Sequence, residues 1–175
     1  MALTFAESAK KSIRTIPDFP KKGVLFRDIT PLLLDKKQFQ TCIDHFKKLT
    51  KEKIDYVISI ESRGFILGSA LAYALGVGFV PIRKEGKLPH IKYQTAYDLE
   101  YGRAVVEIHA DSLKPNSRVI IVDDVLATGG TVKAATELVE KLGAFIRGIY
   151  FLIELRDLNG RKKISRYPVH SLIQY

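Results

Sequence analysis

The segment 119–131, VIIVDDVLATGGT, holds the residues whose types and spacing point most directly to chemistry. An apolar, β-branched run ends in two adjacent carboxylates, Asp123 and Asp124. A short loop, 125–128, follows, and Gly129, Gly130 and Thr131 then open a predicted helix. The two glycines let the backbone come close to a ligand and adopt conformations closed to other residues. A helix N-terminus offers unpaired N–H groups and the positive end of the helix dipole, which suits a phosphate. Thr128 and Thr131 add hydroxyl donors. The carboxylates cannot hold that phosphate themselves, because like charges repel. They suit sugar hydroxyls, or a magnesium ion bound directly or through water. A phosphate cradle beside hydroxyl acceptors describes a phosphorylated ribose. The segment is not a nucleotide P-loop, since GxxxxGK[ST] is absent, nor a dinucleotide fingerprint, since G-x-G-x-x-G is absent.

Two further clusters carry candidate chemistry. Glu61-Ser62-Arg63-Gly64-Phe65 sits where a predicted strand, 55–60, meets a predicted helix. Arg63 offers a planar fork of donors suited to a pair of phosphate oxygens, and Gly64 permits close backbone approach. The competing role for Arg63 is to shield a sheet edge. Arg83, Lys84 and Lys87 open a polar segment, 83–103, containing Gly86, Pro89 and Gly102 and showing no clean period. A connection this long inside a compact domain is predicted to be a functional loop or lid. For Lys87 a solvated surface position is an equal alternative. The four histidines, His45, His90, His109 and His170, are scattered without ligand spacing and read as structural or surface residues.

The elements that must position these groups alternate between strand and helix. Residues 6–13 are predicted as a short helix, and Pro17-Asp18-Phe19-Pro20 as a rigid turn. Phe39, Cys42, Ile43, Phe46 and Leu49 recur at helical spacing opposite a lysine-rich face. Strands are predicted over 103–109, 118–122, 145–155 and 169–173, with a helix from 132 to 142 closed by Gly143. The stretch 64–81 has no charged residue and is long enough to span a bilayer. Its glycines, its proline and the lack of a second such stretch favour a buried helix over 65–75, a turn, and a buried strand over 79–82. Strands separated by helices imply an α/β fold with a mostly parallel sheet, ligands binding at the carboxyl ends of its strands.

Composition bounds the rest. The 175 residues fit one domain, expected to span 1–175. Hydrophobic residues make up 46%, which excludes a wholly disordered chain, and 12 Gly with 7 Pro exclude a collagen-like one. The formal net charge of +9 fits nucleic acid, an acidic membrane surface or a phosphorylated small molecule. Its basic residues are spread from Lys10 to Arg166, and the charge does not choose; the phosphate-binding motif selects the third, so neither a nucleic-acid nor a membrane partner is expected. The single cysteine, Cys42, excludes an intramolecular disulfide and a cysteine-based zinc site, and residues 1–14 lack the apolar run of a signal peptide. A cytoplasmic location is expected.

VIIVDDVLATGGT resembles the phosphoribosyl-pyrophosphate motif of the type I phosphoribosyltransferases. The segments PDFPKKGVLFRDITPLL (17–33), ESRGF (61–65), RKEGKLP (83–89) and YDLEYG (97–102) extend the resemblance over nearly the whole chain, and point to the branch that uses adenine. It implies a type I phosphoribosyltransferase-like fold: a mostly parallel central sheet flanked by helices on both faces, a flexible catalytic lid loop, and a small hood from the N-terminal segment. It implies transfer of 5-phosphoribosyl to adenine, giving AMP and pyrophosphate, and a homodimer. Mg²⁺ would be held mainly through substrate and water, with Asp123 or Asp124 as the protein oxygens on offer.

Residue by residue, the resemblance gives Asp123 and Asp124 the ribose hydroxyls, and Ala127, Thr128, Gly129, Gly130 and Thr131 the 5-phosphate. Arg63 and Lys84 take the pyrophosphate and act in catalysis, with a cis peptide before Arg63 in keeping with the family. Glu100 becomes the proton-handling catalytic residue, and Tyr101 helps order the closed lid. Leu25, Phe26 and Arg27 receive the adenine, and Leu155 packs on it, although a strand-end leucine also fits plain core. A serine in many relatives stands at the position of Ala96, and a leucine at that of Val125; both departures bear on substrate choice and spare the reaction class. The alternatives are a related transferase for another base, such as xanthine or orotate, and a non-catalytic regulator that senses phosphoribosyl pyrophosphate.

Overall fold

β-Branched residues favour the pleated, packed surface of a sheet, and the run around Ile120 forms an inner strand of the molecule's main sheet. The computed structural model describes residues 4–98 and 102–175. The chain divides into two compact units, Met1–His45 and Phe46–Tyr175.

In the first unit, helix α1 (Phe5–Ser12) begins with a capping box, in which Thr4 and Glu7 satisfy each other's backbone N–H groups. Strands β1 (Arg14–Pro17) and β2 (Leu25–Asp28) pair antiparallel. The predicted turn between them holds a cis Phe19–Pro20 bond and Asp18 at φ 57°, with the Asp18 carboxylate accepting from the Gly23 amide at 2.7 Å. Helix α2 (Thr30–Leu34) follows, and α3 (Lys36–Leu49) starts in this unit and ends in the next.

The second unit is built on seven strands: β3 (Tyr56–Ile60), β4 (Gly78–Lys84), β5 (Lys92–Asp98), β6 (Arg103–His109), β7 (Arg118–Leu126), β8 (Phe145–Glu154) and β9 (Val169–Gln174). Their order is β5-β6-β4-β3-β7-β8-β9. From β4 to β9 all neighbours are parallel, while β6 joins β4 and β5 antiparallel. Helix α4 (Gly64–Leu75) connects β3 to β4 in one direction along the sheet, and α5 (Gly130–Lys141) connects β7 to β8 in the other. Right-handed crossovers in opposite directions place the two helices on opposite faces. Ile58, Ile60, Ile121 and Phe151 pack beneath Ala135, Leu138 and Val139 of α5. The uncharged stretch resolves into the 12-residue α4, a left-handed Gly76 and a strand. Among the described residues no helix is long and apolar enough to cross a membrane.

Two elements depart from the sequence expectation. The predicted strand 118–122 runs on through both aspartates to Leu126, because the long β8 offers it partners as far as Val125–Ile153 and Leu126–Glu154. The segment 83–103, expected to be irregular, contains the ends of β4 and β6 and all of β5. Its period was hidden because part of the β5 face meets a polar group instead of an apolar core. Glu107 on β6 is fully buried, and its carboxylate accepts from Lys92 Nζ at 3.1 Å, Gln94 Nε2 at 2.6 Å, and the amides of Gly86 and Leu88. Burial pushes the Glu107 carboxyl up, but these donors outweigh it and hold the group at about 2. Removing a buried carboxylate strands its donors. Glu107→Ala is therefore expected to cost about 3 kcal/mol, read as a lower midpoint in urea unfolding at neutral pH.

Candidate active site

Because β4, β3 and β7 are parallel, their carboxyl ends share one edge of the sheet, and the candidate residues gather there. Lys84 ends β4, the ESRGF segment follows β3, and Asp123, Asp124 and the glycine loop lie at the end of β7. This is where open α/β sheets bind ligands. Asp123, Ala127, Thr128, Gly129 and Thr131 line one hollow, whereas Asp124 and Gly130 are buried beside it and do not line it. Gly129 stands at φ 76° as the cap of α5, a left-handed conformation that favours glycine.

Arg63 turns toward the acidic pair. Its Nε lies 2.7 Å from Asp124 Oδ2, an ion pair inside the site rather than the shield of a sheet edge. The Asp124 amide donates to Asp123 Oδ1 at 2.9 Å. Burial raises the Asp124 carboxyl even against the Arg63 charge, and burial together with the neighbouring Asp124 charge raises that of Asp123 well above the ordinary carboxylate range. Asp123 keeps part of its surface open to the cleft, whereas Asp124 is buried. Gly64 meets a packing need as well, for a side chain there would come within 2.5 Å of Asp123 Oδ1. The cis peptide lies at Glu61–Ser62, one bond earlier than expected.

The cationic segment is held by Glu61. Its carboxylate takes Lys87 Nζ at 2.7 Å, Arg83 at 3.2 Å and the Lys84 amide at 3.1 Å. Burial again pushes upward, and the three donors hold the group at about 2. Lys87 is thus tied to a carboxylate rather than merely solvated. Lys84 has its backbone fixed and is exposed at the strand end. Leu155 follows β8, half-buried, its amide bonded to the Leu126 carbonyl at 2.9 Å, and is not plain core. Leu25, Phe26 and Arg27 form β2 of the first unit, where Phe26 meets Phe19 edge-on and Arg27 donates to Thr15. Glu100 and Tyr101 lie outside the described residues.

The sequence reading gave no role to Glu61, Glu107 or Gly160. Glu107 had a signal, a lone charge in the otherwise apolar run AVVEIH; a charge there must be paired to be buried. Asn159-Gly160 had the signature of a turn, but not the identity of the loop it touches. Among the described residues no group of three metal-ligating side chains converges.

A parallel sheet whose strand ends present an acidic pair, an arginine and a glycine loop capping a helix is the arrangement of a ribose-phosphate transferase. A model of the phosphoribosyl transferase domain matches residues 33–173, and the chain belongs to that family. Its relatives narrow the class. An adenine phosphoribosyltransferase of Halothermothrix orenii is 55% identical over 166 residues, covering 94% of this chain and 98% of the relative. The crystal structure of adenine phosphoribosyltransferase from Thermoanaerobacter pseudethanolicus superposes with a TM-score of 0.95 at 51% identity, covering 98% of this chain and 100% of the other. That of Saccharomyces cerevisiae, complexed with an imino-altritol bisphosphate and adenine, gives 0.92 at 44% identity, covering 96% and 98%.

Proposed function

We infer that this protein is an adenine phosphoribosyltransferase: it transfers 5-phosphoribosyl from phosphoribosyl pyrophosphate to adenine, giving AMP and pyrophosphate. The observation that carries this is the acidic pair beside a glycine loop at the strand ends, in a chain with relatives of that activity along almost its full length.

In this reading the 5-phosphate sits on the backbone of residues 127–131, with the Thr128 and Thr131 hydroxyls beside it. Asp123 and Asp124 accept the ribose hydroxyls. Ribose entry displaces Arg63 from Asp124, and the freed guanidinium turns to the pyrophosphate. Arg63 and Lys84 then stabilise charge that grows on the leaving pyrophosphate in the transition state. Glu100 handles the N9 proton of adenine, and Tyr101 orders the closing lid, which excludes water from a cationic sugar centre. Leu25, Phe26, Arg27 and Leu155 receive the base. Two adjacent carboxylates, joined by no third ligating side chain among the described residues, fit a magnesium ion that keeps most of its waters and arrives on the substrate. Such an ion neutralises pyrophosphate charge. The same reading makes the protein a cytoplasmic homodimer. Its excess positive charge steers polyanionic substrates toward the site without recognising them.

The test is a base panel. Incubated with phosphoribosyl pyrophosphate and Mg²⁺, the protein is expected to release pyrophosphate with adenine and at background rates with hypoxanthine, guanine, xanthine and orotate. Turnover with another base would reassign the specificity, and none with any base would favour a regulator.

A further inference from the structure

Behind the glycine loop lies a second backbone segment that none of the assigned roles uses. After Leu155 the chain makes two 3₁₀ turns, Arg156–Leu158 and Gly160–Ile164, joined through a left-handed Asn159 at φ 53°. Gly160 is buried with its Cα pressed against the loop. A methyl on Gly160 would fall on the Ala127 carbonyl oxygen, 2.8 Å from the Gly129 nitrogen and 3.0 Å from the Ala127 carbonyl carbon. In return, a methyl on Gly129 would fall on the Gly160 carbonyl oxygen. Two backbones thus meet face to face, without side chains between them. A contact of this kind cannot give way by rotating a side chain; one of the two segments must move.

The Gly160 segment is also fixed from outside. Arg161 spends its guanidinium on Glu154, with Nε at 2.9 Å from Oε1 and Nη2 at 2.5 Å from Oε2. Its Nη1 donates to the Val169 carbonyl at 2.7 Å, and Ser171 Oγ donates to Glu154 at 2.5 Å. Glu154 itself is buried and pairs across the sheet with Leu126, the residue before the loop. Arg161 therefore has a structural partner on every arm.

We propose that Gly160, clamped by the Arg161–Glu154 pair, is a positioning residue that sets the 5-phosphate loop from behind. A cradle made of backbone N–H groups binds through its shape, so its donors must be held before the ligand arrives. Gly129 and Gly130, at its centre, have no side chains with which to hold it. The segment 155–164 supplies the missing rigid wall, and only a glycine at 160 leaves the loop where its donors converge.

This inference rests on the 5-phosphate reading of residues 127–131, and the experiment separates the two. Ribose 5-phosphate binding is measured by calorimetry, and KM values for phosphoribosyl pyrophosphate and adenine by steady-state kinetics, for wild type and Gly160→Ala. The variant is expected to bind ribose 5-phosphate at least about tenfold more weakly and to raise the KM for phosphoribosyl pyrophosphate in step, with the KM for adenine within about twofold. Arg161→Lys keeps the charge but loses the fork, and is expected to show a smaller shift in the same direction. It decides the matter should Gly160→Ala fail to fold, and wild-type behaviour there would overturn the proposal. A folded Gly160→Ala that binds ribose 5-phosphate like wild type overturns it, as does equal loss toward both substrates. A wild type that does not bind ribose 5-phosphate at all sinks the functional reading and this inference together.

Discussion

Asp123→Asn is expected to abolish most of the activity while raising the melting temperature of the ligand-free protein. The two effects share a cause. Burial and the adjacent Asp124 carboxylate both disfavour the charged form of Asp123 in the folded state. The charged form therefore costs more in the folded chain than in the unfolded one, and a neutral isostere relieves that cost. The part of Asp123 that faces the cleft keeps the gain small, and the Asp124 amide can still donate to the asparagine oxygen. Catalysis moves the other way. Ribose hydroxyls that donated to a carboxylate lose charge-assisted bonds, each about 1.5–3 kcal/mol, so kcat/KM should fall on the order of 10²-fold or more. Steady-state kinetics and a thermal melt check both signs. A lower melting temperature would show that the carboxylate stabilises the fold, and normal kinetics would remove it from the ribose site.

The same groups fix the direction of the pH dependence. Asp123 and Asp124 have raised folded-state values, so their destabilisation is full above those values. It disappears as pH falls through them toward the unfolded carboxylate range near about 4. Glu61 and Glu107 are held at about 2 from an ordinary 4.5; their contribution is complete above 4.5 and is lost as pH falls from there to about 2. The ligand-free protein should thus gain stability on mild acidification and lose it below about pH 4.5.

What the sequence made legible follows from how local each signal is. The strand-to-helix turn that carries Asp123, Asp124 and the loop 127–131 could be read because strand, carboxylates, glycines and helix are consecutive in the chain. The helix over Gly64–Leu75 and the strand Phe145–Glu154 were likewise announced by composition and period. Glu61 and Glu107 were not, because their partners lie 13 to 26 residues away along the chain and meet only through the antiparallel return of β6 and the end of β4. The strand β5 escaped for a related reason, since Lys92 and Gln94 on it are matched to Glu107 and not to a core. Gly160 is the extreme case: its dipeptide announces a turn, but its meeting with Gly129 arises only when β8 and β7 lie side by side.

The strongest expected loss of turnover belongs to Glu100. Adenine reacting through N9 must shed a proton, and a base is effective when its pKa lies near the working pH. The described carboxylates around the site are poorly suited. Glu61 and Glu107, at about 2, are ion-paired and too weak to take a proton at neutral pH. Asp123 and Asp124 have raised values, but the proposed function gives them to the ribose hydroxyls, and Asp124 faces Arg63. The proposed function gives this proton to Glu100, one of the two carboxylates of YDLEYG. Glu100→Ala is therefore expected to lower kcat by about 10²–10⁴ while the KM for phosphoribosyl pyrophosphate stays within a few-fold. Glu100→Gln, which keeps the shape and removes the proton acceptor, should do nearly as much and erase the acid limb of the kcat–pH profile. Unchanged turnover in both variants would exclude Glu100 from proton transfer. Loss in Glu100→Ala with full activity in Glu100→Gln would make it a hydrogen-bonding residue of the lid.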